Sequence, residues 1–136
     1  MITEVVTLLN ERDVEILLEE LGHDYEILGA GLWKVDASEE SGVGNLILNL
    51  TPPLLLLRAN VAPLPEKENA SLYKLLLETN ARDMVHGSFG IDGDEIVLIE
   101  SLEASYVDPE ELQASIDAFG FALSTIEPRL KEFGVK

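Results

Sequence analysis

The stretch Leu72-Tyr73-Lys74-Leu75-Leu76-Leu77-Glu78-Thr79-Asn80, followed by Gly87-Ser88-Phe89-Gly90-Ile91-Asp92-Gly93-Asp94-Glu95-Ile96-Val97-Leu98, decides the fold. In its first part Leu72, Leu75, Leu76 and Thr79 recur at helical spacing, and Asn80 is a residue type suited to closing a helix. Tyr73 and Leu77 fall off that stripe. The helix therefore carries apolar groups on two faces, one for a core and one for the sheet or a second chain. In the second part Val85, Gly87, Phe89 and Ile91 alternate with His86, Ser88 and Gly90, which is the period of a strand. Asp92-Gly93 then supplies the backbone freedom of a tight turn before Ile96-Val97-Leu98-Ile99 returns. The returning strand lacks alternation, which predicts a central or covered position. A helix followed by an antiparallel hairpin sets the class as α+β.

Upstream, Asn10 and Asp13 form the two halves of a helix-capping pattern, with Leu9 and Val14 at the staple positions. Val14, Leu17, Leu18 and Leu21 make one apolar stripe, and Gly22 is placed to end the helix in a left-handed conformation. Thr3 to Leu9 fits neither period cleanly and leans towards helix. Tyr25 to Val35 is β-prone but interrupted by Gly29-Ala30-Gly31, which predicts a strand or a bent hairpin. Asp36 to Gly44 reads as a loop. Asn45–Leu50 and Leu54–Val61 are two strands joined antiparallel through Thr51-Pro52-Pro53, and Pro63 and Pro65 end the second. Leu54-Leu55-Leu56-Leu57 is apolar on both faces, so both sides of that strand are expected to be covered.

Downstream, Asp108 caps the last helix, Pro109 takes its first position, Glu111 lies three after the cap and Val107 is stapled to Leu112. Leu112, Ile116, Phe119, Leu123, Ile126, Leu130 and Phe133 follow at alternating spacings of four and three. Pro128 lies off this seam and is expected to kink or shorten the helix. The order is helix, three strands, helix, two strands, helix, in one domain spanning 1–136, with an antiparallel sheet.

The chain has 136 residues, 26 acidic and 9 basic side chains, a net charge of −17 and no cysteine. Such a charge repels phosphate backbones and anionic lipid, so neither nucleic acid nor membrane is an expected partner. No apolar run reaches the roughly 20 residues of a bilayer span. The start Met1-Ile2-Thr3-Glu4 lacks the basic opening of a secretory signal, which points to the cytoplasm. Without cysteine there are no disulfides, thiolate nucleophiles or zinc-thiolate sites.

Chemistry-bearing constellations are sparse. His23 and His86 are the only imidazoles, and neither has a partner at metal-ligand spacing. Asp92, Asp94 and Glu95 have the spacing of a hairpin turn and lack the twelve-residue calcium pattern. Gly29-Ala30-Gly31 lacks the third glycine of a dinucleotide loop. Serines lack a nucleophile elbow, and the pairs Glu19-Glu20, Glu39-Glu40 and Glu110-Glu111 are sequence neighbours suited to solvated faces. No catalytic, metal or cofactor site is expected.

The helix ending in Asn80, the glycine-containing strand, the acidic hairpin and the acidic loop into Asp108-Pro109-Glu110-Glu111-Leu112 resemble the small chaperones of bacterial type III secretion, the CesT-like fold, and the related YbjN domain family. The resemblance covers about residues 10 to 133; Pro128 departs from an uninterrupted last helix. It implies a homodimer with no cofactor. The chaperones hold a client segment extended, and YbjN proteins are associated with regulatory roles. The expected function is a non-enzymatic, chaperone-like or adaptor homodimer acting on a partner protein segment, with Leu72, Tyr73, Leu76 and Leu77, together with Leu55 and Leu57, as the partner or dimer contacts. The alternative is a regulatory domain with a small apolar ligand between the sheet and the last helix, lined by Trp33.

Overall fold

The structure, a computed structural model, describes residues 9–67, 69–105 and 107–135. Helix α1 (Glu11–Leu21) begins where the sequence places it: the Asn10 side chain accepts from the Asp13 N–H, and the Asp13 carboxylate accepts from the Asn10 N–H. Such a reciprocal cap is worth about 1 kcal/mol. Gly22 closes the helix with φ 77°. Residues 1–8, on which the Thr3–Leu9 reading largely falls, lie outside the described residues.

Tyr25 to Val35 resolves as the hairpin β1 (Asp24–Gly29) and β2 (Leu32–Ala37), so four strands rather than three precede the middle helix. The expected loop 36–44 contains a one-turn helix, α2 (Ser38–Ser41), before β3 (Val43–Thr51) and β4 (Leu54–Pro63). Then come α3 (Ala70–Arg82), β5 (Ser88–Asp92), β6 (Glu95–Glu103) and α4 (Pro109–Lys131). All six strands join one antiparallel sheet in the order β1-β2-β3-β4-β6-β5. The register sets the faces, since alternate residues of a strand point to opposite sides. Leu48↔Leu57 and Ala59↔Leu98 fall on one face, Ile47↔Arg58 and Arg58↔Ile99 on the other.

The first of these faces is the core. Leu46, Leu48, Leu55, Leu57, Leu98 and Phe89 are buried there with Val14 and Leu18 of α1, Leu72 and Leu76 of α3, and Leu112, Ile116 and Phe119 of α4. The helices thus form a single layer on one side of the sheet. Among the described residues nothing provides the expected cover over the second side of the tetra-leucine strand: Leu55 and Leu57 are buried, while Leu54 and Leu56 are half-buried on the opposite face.

Three details differ from the sequence expectation. Asn80 does not end α3; the helix continues to Arg82. Its side-chain amide donates to the Phe89 carbonyl (2.9 Å) and accepts from the Phe89 N–H (2.7 Å), pinning β5 to the helix. Strand β5 starts at Ser88, leaving Val85 in the preceding segment, 89% exposed. Helix α4 passes Pro128 and ends at Lys131; Phe133 packs against the core beyond the helix end, and Leu123 is only partly buried.

Candidate functional site

Both histidines sit in hydrogen-bonded clusters. Buried His23, just after α1, has Nε2 2.7 Å from Gln113 Oε1. Gln113 donates to Asp117 Oδ1 (2.8 Å) and to Ser41 Oγ (3.3 Å), and Ser41 donates to Asp117 (2.6 Å). The serine thus faces a carboxylate and the imidazole faces an amide; no imidazole is set to take the serine proton. The cluster ties the ends of α1 and α2 to α4. His86 Nδ1 lies 3.2 Å from Glu100 Oε1, and Glu100 Oε2 is buried without a hydrogen-bond partner among the described residues. No group of three His, Asp or Glu able to hold a metal occurs among the described residues.

Trp33, expected to line a ligand cavity in the alternative reading, is 1% exposed and part of the hydrophobic core. It is buried between α1 and the sheet, and its indole N–H donates to Glu15 Oε2 at 3.0 Å. The space between the sheet and α4 is packed by Leu48, Leu57, Ile116 and Phe119.

Of the six residues proposed from sequence as contacts, Leu55, Leu57, Leu72 and Leu76 are 4% exposed or less and belong to the protomer's own core. They cannot meet a partner without opening that core. Periodicity leaves open which of the two apolar faces of β4 is turned inward, and in the protomer that face is the one carrying Leu55 and Leu57. Tyr73 is half-buried and Leu77 is 68% exposed, so these two reach the outer side of α3, beside Ala70, Lys74 and Ala81. Lys74 and Arg82 each lie 3.7 Å from Glu78 along this strip.

Two further apolar surfaces lack a sequence signal of comparable clarity. The outer sheet face carries a groove of about 640 Å³ along Ile47, Asn49, Leu56, Arg58, Ile99 and Ser101. Arg58 lies across its margin, 2.6 Å from Asp92. A smaller trough of about 170 Å³ separates α4 from the end of α3, between Met84, Phe89, Ala122 and Ile126. Phe121 stands at its rim, 72% exposed. Each surface can bury apolar side chains of a polypeptide, and charged or ionisable groups also line both, Arg58 and Glu100 in the groove and Asp83, His86 and Arg129 in the trough.

The CesT_Tir_1 family model matches residues 3–136. No curated protein matches the chain significantly, whereas sixteen chains of solved structures do. Among these are YbjN from E. coli (TM-score 0.67, 13% identity, 93% of this chain and 96% of that chain covered). Another belongs to the heterodimeric ExoU–SpcU complex of the Pseudomonas aeruginosa type III secretion system (TM-score 0.59, 13% identity, 85% and 95% covered). At that identity the two structural likenesses are of fold.

Proposed function

The chain belongs to the CesT_Tir_1 family, and from this premise we propose that it is a non-enzymatic, cytoplasmic, chaperone-like protein-binding domain, a homodimer that holds a segment of a partner protein. The observation that carries the reading is the apolar surface left after one protomer has folded: Leu54, Leu56 and Ile99 on the open sheet face, and Leu77 with Tyr73 on α3. Apolar patches left open in this way mark interaction surfaces in soluble proteins. The ExoU–SpcU likeness supports the same direction, since that structure is a complex between two proteins.

Tyr73 and Leu77 are the proposed contacts for the partner segment. Their spacing of four puts them on one side of α3, where an extended or helical segment can lay apolar side chains between the charged rows. A photo-reactive residue at position 73, activated in the source cell, tests this. One recurrent foreign polypeptide should be trapped, and Leu77→Asp should weaken its capture at least tenfold, about 1.4 kcal/mol. Trapping nothing but this chain itself, or capture indifferent to Leu77→Asp, would overturn the contact.

A further inference from the structure

The trough between α4 and the end of α3 sets charges of both signs around an apolar middle. Its α4 wall is the row Ala118, Ala122, Ile126 and Arg129, which helical spacing places on one side of the helix. The facing wall carries Asp83, the residue that ends α3, with Met84 and Phe89 beyond it. Thr79 and Thr125 border the trough as well, but their hydroxyls donate to the Leu75 and Phe121 carbonyls one turn back, at 2.7 and 2.8 Å. They therefore add little polar demand. His86 has one ring nitrogen engaged by Glu100.

Arg129 stands out in this chain. Arg12, Arg58, Lys74, Arg82 and Lys131 each pair with a carboxylate, and with 26 acidic residues to 9 basic ones partners are plentiful. Arg129 lines the trough beside Asp83, yet among the described residues the two form no ion pair and neither side chain has another polar partner. We infer that the trough is a binding site for a free apolar α-amino acid. Its carboxylate meets Arg129, its ammonium meets Asp83, and its side chain lies between Met84, Phe89, Ala122 and Ile126.

Size and charge select this occupant. The trough holds about 170 Å³, and an apolar cavity of about 150 Å³ takes one benzene ring. It thus fits one side chain the size of leucine or phenylalanine, not a length of polypeptide. A guanidinium fork matches a carboxylate through two parallel N–H donors. A simple anion is repelled by a protein of net charge −17, whereas a zwitterion is not. Both charges must also sit on one small molecule. The last residue of a polypeptide brings a carboxylate without an ammonium, and the first an ammonium without a carboxylate; a free amino acid brings both. Val85 and Phe121, exposed on the two lips, are apolar surface that a seated side chain would cover. This site is separate from the outer side of α3, since neither Tyr73 nor Leu77 lines it. Its failure leaves the partner-segment reading untouched.

NMR titration of the full chain with L-leucine and L-phenylalanine tests the site. Each should shift the Ala122 and Ile126 methyl signals with a Kd of about 0.1–1 mM, the range for a ligand so small. N-acetyl-L-leucine lacks the ammonium and imitates a polypeptide C-terminus; L-leucinamide lacks the carboxylate and imitates an N-terminus. Each should bind about tenfold more weakly than leucine. Arg129→Gln should abolish the preference for leucine over leucinamide, and Asp83→Asn the preference for leucine over N-acetyl-leucine. A merely structural loss would not split the two preferences in this way. Both positions are exposed, and circular dichroism checks that folding persists. No shift with either amino acid up to about 10 mM, an affinity too weak to matter, overturns the site. Either derivative binding as tightly as leucine overturns the free amino acid in favour of a polypeptide terminus. Preferences indifferent to both substitutions overturn the location.

Discussion

Ser115 lies wholly buried on α4, and its hydroxyl has no hydrogen-bond partner among the described residues. A buried hydroxyl without a partner costs about 1–3 kcal/mol, and alanine is the better helix former by about 0.5 kcal/mol. Ser115→Ala should therefore raise unfolding stability by about 1 kcal/mol, measured by urea titration. On α1, Glu19 accepts from the Tyr25 hydroxyl (2.8 Å) and from Arg12 (3.0 Å). The tyrosine hydrogen bond first, and then Arg12, hold its carboxyl below the ordinary carboxylate value. A depressed carboxylate contributes stability above its unfolded value, and that contribution is lost as pH falls through the folded one. Tyr25→Phe should raise the Glu19 midpoint towards its ordinary value in an NMR titration. The accompanying loss of stability should be present at neutral pH and absent once both states are protonated. Neither feature was legible in the sequence, because Ser115 reads as a spacer in the seam and Tyr25 as one more strand residue.

At the scale of elements, the end signals were legible and the junctions were not. Asn10 with Asp13, Gly22, and Asp108 with Pro109 act through neighbours three or four residues away, so local sequence determines them. Asn80 looks equally local, but its partner is the backbone of Phe89 on another element. Asn80→Ala should cost about 1–3 kcal/mol by removing both bonds from a largely buried strand start, seen as a lower thermal midpoint. Gly120 is another such junction. A Cβ there would collide with the Ser41 carbonyl, where α2 crosses α4. Gly120→Ala should destabilise by about 1–3 kcal/mol although alanine suits a helix better, and denaturant titration reads the sign directly. Pro128 was expected to kink or shorten α4; the helix is not shortened there, since Ile126 and Leu130 remain buried on either side of it and it ends only at Lys131.

The whole molecule carries a net charge of −17, although β3 and β4 contain no acidic residue. Self-repulsion of that magnitude is relieved by salt, whose screening length falls from about 30 Å at 0.01 M to about 8 Å at 0.15 M. The thermal midpoint should rise by several degrees across that range, on the order of 1 kcal/mol. An unchanged midpoint would mean that the acidic groups are too far apart in the folded state to matter. The sequence by itself determined the α+β class, the antiparallel hairpins, the helix starts and the family resemblance, because each depends on residue spacing within an element or between adjacent ones. It also determined that apolar residues exceed what one seam per helix can absorb. Only the tertiary structure decided which of those residues remain outside. Leu55 and Leu57 go to the core and Leu54 and Leu56 to the surface because strand register and a single helix layer choose between two faces that a run of four leucines leaves equivalent.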